Sequence, residues 1–381
     1  MNESAAEPRS DRLWVWLGSA RLTVYGLSLL MALTFWGTLY QVEHGLYLAK
    51  ERFFDSWVVL IGGFVPFPGT QLVLAILIVN LLVYLMRLVF QQRMAFGLLI
   101  THLGLLMMLL GGAITHHYAS ESQLTLQEGE TGSASASYGH WELAVWSSDG
   151  PVREVMAYAA DRLQPGDVRR FDDAGLSVRV EDYHRNARAF QSTAPQTNPA
   201  ISKLGITSLR SARLAKEPGE NIAGAILAIQ PDGGEPVRAI LFGEDEIPQP
   251  FEHNGNTYTL ALRRAREPLP FVVRLVDFRR EMHPGTEMAR HFSSVVSVNA
   301  DGVDREMTIS MNKPLRDRGY TLYQASYRED PDGTQWSTFA VTHNYGRLVP
   351  YVSTGIIVFG MAWHFVAMMI RRARRAGIAT P

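Results

Sequence analysis

The sequence has no cysteine, so it forms no disulfide, holds no thiolate-bound zinc or iron-sulfur cluster and carries no dithiol pair for redox chemistry. Charge is sparse too: charged residues make up 19% of 381, and 36 basic against 37 acidic residues leave a formal net charge of -1. That near-neutral balance excludes the basic surface that nucleic acid phosphates require. Familiar catalytic signatures are missing: there is no G-x-x-x-x-G-K-[ST], G-x-S-x-G or H-E-x-x-H, and no G-x-G-x-x-G on a strand-to-helix turn. Ordinary nucleotide and hydrolase chemistry is therefore not expected. What the chain has in quantity is apolar side chains, 47% of the total, too many for a disordered protein and gathered in a few long runs.

Four of those runs, 22–40, 71–90, 96–115 and 350–370, are each about the 20 residues that a helix needs to cross hydrocarbon. The first is read as a retained anchor, because Arg21 abuts it and no small-x-small cleavage site follows. Arginines cluster before the first span (Arg9, Arg12, Arg21), between the second and third (Arg87, Arg93) and after the fourth (Arg371, Arg372, Arg374, Arg375). The positive-inside rule places all three clusters in the cytoplasm, which needs an even number of spans. The expected organisation is a cytoplasmic N-terminus (1–21), a three-helix membrane region (22–117), an extracytoplasmic domain (118–347), a fourth transmembrane helix (348–370) and a basic cytoplasmic tail (371–381). Residues 53–65, FFDSWVVLIGGFV, are apolar but too short to cross and are read as an interfacial or re-entrant piece at the outer face.

Within 118–347 the polarity alternates with a period of two at 123–126, 176–180, 258–262, 295–298 and 338–341. Turn signals separate these runs at Asp149-Gly150, Asp232-Gly233-Gly234, Asn254-Gly255, Asp301-Gly302 and Asp332-Gly333. The pattern predicts a large antiparallel β domain, a sandwich or an open barrel. A polar stretch near 187–220 shows no period and is read as a long loop or a short surface helix.

Two of the eleven histidines, His102 and His364, fall inside spans, where a polar ring needs a reason to be. His102 lies six residues after Phe96 and His364 six before Ile370, so each is about 9 Å deep from the same side at about 1.5 Å per residue. Equal depth permits one shared site. Neutral imidazole is the usual axial ligand of haem, but an interhelical hydrogen bond to Thr101 or Thr354 would also account for either ring. Gly97, Gly104, Gly111 and Gly112 along the third span admit close approach by a flat cofactor or by a neighbouring helix. Asn80 in the second span needs an interhelical partner. His116 and His117, adjacent and about 100° apart on a helix, are read as interfacial, His283 and His291 as surface or turn residues, and Trp14, Trp16, Trp36 and Trp57 as an aromatic belt.

Ordered motifs run along the spans: Ser19-Ala20-Arg21-Leu22-Thr23 with Gly37-Thr38, Asn80-Leu81-Leu82, and Gly97 through His102-Leu103-Gly104 to Gly111-Gly112. In order and spacing they resemble the ResB-like (CcsB) family of cytochrome c biogenesis proteins, the membrane half of System II haem attachment. Beyond the spans, Leu124-Thr125-Leu126-Gln127-Glu128-Gly129-Glu130 is similar to the family's L-x-L-x-E-G-E segment. Asn312-Lys313-Pro314-Leu315 and the run Gly319 to Tyr327 resemble its N-x-P-L and G-Y-x-x-Y-Q-x-S-Y signatures. The resemblance implies a bacterial inner-membrane subunit of a cytochrome c synthase (haem lyase) complex, not an enzyme alone. Such a complex exports haem b and presents it, reduced, to apocytochrome c for thioether formation. It implies His102 as an axial haem ligand, and so a metal ligand through the iron, beside Gly104 and Gly111. The second ligand would come from a CcsA/ResC-like partner, with His364 a secondary candidate, and thiol reduction would fall to a thioredoxin-like protein. The alternative is a non-catalytic membrane scaffold whose β domain binds apocytochrome or that partner.

Overall fold

The computed structural model describes residues 9–90, 95–147, 155–172, 175–191, 202, 205–243, 249–253, 256–285 and 289–378. The chain forms two compact units, one of Met1–Ser120 with Asn344–Pro381, the other of Glu121–His343.

The first unit contains the helices α1 (Arg9–Leu17), α2 (Ala20–His44), α3 (Leu46–Ala49), α4 (Thr70–Phe90), α5 (Phe96–Tyr118) and α6 (Val349–Ile378). Ala20–His44, Thr70–Phe90, Phe96–Tyr118 and Val349–Arg375 are long and apolar enough to cross a membrane, as the hydropathy predicts. The break between α1 and α2 is held from outside. Ser19 caps α2 by accepting the Leu22 N–H at 3.3 Å. Asn80 of α4, almost fully buried, donates to the carbonyls of Leu17 and Ser19 and accepts from Thr23 Oγ1 at 2.6 Å. Its amide thus takes up the carbonyls freed where α1 ends, the interhelical role expected for it.

The 53–65 segment, expected as an interfacial or re-entrant piece, is built as part of a π-helical turn and a β-hairpin. A π-helical turn over Lys50–Phe54 leads into a hairpin of β1 (Val58–Ile61) and β2 (Val65–Pro68), with Val59 opposite Phe67 and the turn at Gly62-Gly63. Two positive-φ glycines reverse the chain inside an apolar run that has no period of its own.

The second unit is all β. Its strands are β3 (Ser120–Gln127), β4 (Thr131–Ser147), β5 (Val155–Ala159), β6 (Val168–Phe171), β7 (Leu176–His184), β8 (Ala187–Gln191), β9 (Ile206–Ser211), β10 (Gly224–Pro231) and β11 (Val237–Phe242). They continue with β12 (Gln249–His253), β13 (Asn256–Met282), β14 (Ala289–Ala300), β15 (Val303–Ser310), β16 (Leu315–Asp317), β17 (Tyr320–Glu329) and β18 (Gln335–His343). Ten of them form one sheet in the order β15-β14-β13-β4-β3-β18-β17-β16, with β12 on β13 and β5 on β4; β11-β10-β7-β6 form a second sheet. The registered ladders are antiparallel.

Both expected architectures occur, because the 27-residue β13 runs through two cores. In one, Trp141, Leu143 and Leu260 of the large sheet pack on Val178, Val180 and Leu227 of the small one, a sandwich. In the other, Leu124, Leu126, Val273, Val296, Leu322 and Phe339 fill the inside of a sheet that curls until β15 lies beside β16 and β17. The β13 register against β4 breaks between Pro268 and Val273, where Pro268 and Pro270 lack the N–H that a continuous ladder needs.

The 187–220 stretch also departs from its reading as a loop or helix: β8 and β9 pair as a hairpin, with the Arg210 guanidinium 4.9 Å from the centre of the Phe190 ring. Its polar face hides the alternation. The turn signals at 149–150 and 254–255 lie outside the described residues, whereas Asp301-Gly302, both at positive φ, makes the turn between β14 and β15.

Candidate functional site

The α5 sequence is apolar enough to be helical in lipid whatever its neighbours, so a ring placed within it is held by the helix alone. His102 Nδ1 lies 2.7 Å from the Leu98 carbonyl one turn earlier. A carbonyl can only accept, so Nδ1 carries a proton, and in a neutral ring the lone pair is then on Nε2. The ring is partly buried against Tyr84 of α4, centroids 5.2 Å apart. An imidazole whose Nδ1–H is fixed to a backbone carbonyl is prepared to ligate through Nε2. Thr101 is not its partner, since Thr101 Oγ1 donates to Gly97 O at 2.9 Å.

His364 is elsewhere. A Cβ built on Gly97 would come within 2.5 Å of the His364 backbone nitrogen, so His364 lies level with residue 97, not 102. At about 1.5 Å per residue that is roughly 7.5 Å along α5 from His102, and the ring stands on another face. Counting about 100° per residue, His102 points about 140° from Gly97 and about 160° from Gly104. The structure therefore does not bring His102 and His364 to one site. His364 lines a separate pocket with Phe96, Trp363, Met368 and Arg371.

The glycines form the seam between α5 and α6. Added methyl groups at Gly97, Gly104 and Gly111 would strike Gly360 and His364, Ile357, and Val349 in turn, whereas Gly112 faces nothing within 4 Å. Gly104 and Gly111, expected beside a cofactor, are covered by a helix, and packing accounts for their size.

The remaining histidines divide by setting. Gln71 Nε2 lies 2.6 Å from His116 Nε2, and Asp55 lies 3.6 Å from the same atom, so His116 is bonded rather than merely solvated. His291 stands on β14 opposite Glu281, and His283 precedes a turn. Among the described residues no three histidines, aspartates or glutamates gather as a metal site. A pair the sequence conceals is His140 and Asp161, 21 residues apart, with Nδ1 to Oδ2 at 2.6 Å. That hydrogen bond raises the imidazole pKa above its ordinary 6.5, burial opposing it. The exposed side chains of Trp14, Trp16, Trp36 and Trp57 accord with an aromatic belt.

The motifs of the β unit are tied into its fold. Gly129, at φ +83, turns the chain between β3 and β4, Glu128 Oε1 accepts the Phe278 N–H at 2.6 Å, and Glu130 Oε2 accepts that of Gln127 at 2.8 Å. Leu315 of the N-x-P-L segment is in the barrel core. Gln324 joins Ser294 and Ser337 in a buried triangle of hydrogen bonds, each 2.8 Å. Tyr320 stacks on His343 at 4.2 Å, and Tyr327 lies between Phe278 and Phe292 at 5.3 Å from each.

Four apolar helices with a β unit between the third and fourth define a multi-pass membrane protein of helical type carrying one large antiparallel domain. The sequence profile of the ResB-like family matches residues 251–334, which hold both β17-region signatures but not His102. Protein NrfI of Wolinella succinogenes is 22% identical over 314 residues, covering 78% of this chain and 30% of its own length. The β unit is thus similar to the ResB-like family over residues 251–334, and most of the chain is similar to part of that relative. The chain spans under a third of that relative.

Proposed function

We propose that the chain is a membrane subunit in cytochrome c biogenesis, which holds haem b through His102 and presents it to apocytochrome c. The observation that carries the reading is the contact of His102 Nδ1 with the Leu98 carbonyl, which leaves Nε2 for a ligand on a helix face that α6 does not cover. The donor set fits one axial bond to iron: a neutral ring, a fixed orientation and the flat Tyr84 ring alongside. Bound haem would supply the vinyl groups to which the C-x-x-C-H thiols add. The chain's own part is to orient the imidazole and to keep its Nδ1 proton engaged. His364 is packed beside Gly97 on another face of α5, which leaves the second iron ligand to a CcsA/ResC-like partner in this reading. Having no cysteine, the chain leaves thiol reduction to a thioredoxin-like protein. The arginine clusters favour cytoplasmic termini and an outer, periplasmic β domain in a bacterial inner membrane.

The scaffold reading is favoured by one fact: the profile match lies wholly in the β unit. Co-purification with the CcsA-like partner separates the two. Haem absorption that falls on His102→Ala and partly returns with added imidazole supports ligation. A colourless complex that still captures apocytochrome would leave only the scaffold.

A further inference from the structure

Away from His102, the helical unit forms a partly open space of about 180 Å³ between α2 and the β1–β2 hairpin. Its walls are apolar and aromatic, with Leu33, Trp36, Tyr40, Phe53 and Phe67 among them, and its one charged lining residue is Arg52. The Arg52 guanidinium carbon lies 5.0 Å from the centre of the Tyr40 ring and 5.7 Å from that of Phe53. Nη2 donates to the Leu60 carbonyl at 3.1 Å, which uses one of five N–H donors.

The polarity of the space has a direction. Leu33, Trp36 and Tyr40 occupy one face of α2, and Leu33 is about 10 Å along the helix from Tyr40, further from Arg52 and the helix end. The hairpin exposes Trp57, Val58, Leu60, Val65 and, at its tip, Phe64, 80% exposed. Side chains of that kind are stable in water only at a cost and settle at the boundary of hydrocarbon and headgroups, where arginine and tyrosine also concentrate. A cation at the polar end of an apolar channel at that height matches an amphiphile with one negative head. A small free anion has no tail with which to use the aromatic wall.

We propose that this space binds an anionic phospholipid, its phosphate on Arg52 and an acyl chain running past Trp36 toward Leu33. The lipid would join the hairpin to α2 through contacts that neither element makes alone.

The test reconstitutes the full chain in bilayers of equal phosphatidylglycerol and phosphatidylcholine, extracts it gently and weighs the retained lipid by native mass spectrometry. Wild type should retain phosphatidylglycerol about five-fold over phosphatidylcholine, the preference one basic side chain gives near a membrane surface. Arg52→Gln keeps a donor for the Leu60 carbonyl and should lose the preference, while Arg87→Gln, elsewhere in the same unit, should keep it. Retention in proportion to bilayer composition, or equal loss in both variants, would overturn the proposal. Glycerol phosphate that displaces the lipid at equal concentration would reassign the space to small anions. If Arg52→Gln does not fold, phosphatidylglycerol with a photoreactive acyl chain decides on wild type: label at 33–40 and 58–67 supports the site, and label spread evenly over the spans rejects it.

Discussion

At His102 a single backbone hydrogen bond sets what the ring can do, because Nδ1–H on the Leu98 carbonyl leaves Nε2 as the only lone pair. On the proposed reading, His102→Ala inserts normally, since a neutral ring replaced by methyl changes insertion little, but loses haem and mature cytochrome c. His364→Ala should retain haem at the wild-type level, because His364 stands on another face of α5; equal loss in the two variants, read from the absorption spectrum, would refute the separation of the rings. His140 offers a test outside the spans. Its hydrogen bond to Asp161 raises the folded pKa, so the stability it contributes is complete below the unfolded value of about 6.5 and is lost as pH rises through the higher folded value. With the ring 64% exposed the energy is small and the titration is the better readout: Asp161→Asn should return the His140 NMR midpoint toward 6.5.

Between elements, the α5–α6 seam depends on the absence of side chains at three positions seven residues apart. Gly97→Ala should lower thermal stability, by roughly 1–3 kcal/mol if the helices yield as an overpacked core does, whereas Gly112→Ala, on the open face, should change it little. In the β unit, Gln324→Leu would leave the buried hydroxyls of Ser294 and Ser337 with only each other, one proton or lone pair unsatisfied, at a cost of about 1–3 kcal/mol measured by denaturant unfolding. These elements were not equally legible. The four spans announce themselves by composition, and the β strands by alternation wherever one face is buried, as at Leu124 and Leu126. The hairpin at 58–68 does not, because both its faces are apolar, and β8–β9 does not, because its outward residues, such as Arg188 and Arg210, mask the period. The glycines of α5 are visible in the sequence, but counting from the ends of the apolar runs sets His364 level with His102, whereas α6 docks with His364 beside Gly97, five residues away and on another face, an offset that only the packing fixes. Pairs such as His140 with Asp161 or Arg52 with Tyr40 leave no trace in spacing, since the fold alone decides which turns meet.

For the molecule as a whole, the arginine pattern gives a direct expectation. Reporters in the 91–95 connection and at the C-terminus should read as cytoplasmic, and one inserted near residue 210 should read as outer; an outer C-terminus would contradict four crossings. The seam adds a constraint in time. Its two halves are Phe96–Tyr118 and Val349–Ile378, with the whole β unit lying between them in the chain. At roughly 5–20 residues per second, a ribosome that has finished the third span needs about ten to fifty seconds to reach the fourth. Throughout that interval the glycine groove of the third span is bare to lipid, and the nascent protein is a membrane stub trailing a folding domain. Chains stopped before residue 349 should thus be cleared by membrane proteases, and a separately expressed 344–381 segment should rescue them by docking into the groove, with pulse-chase half-life as the measure. The fourth span can close that groove only after the β unit has been made.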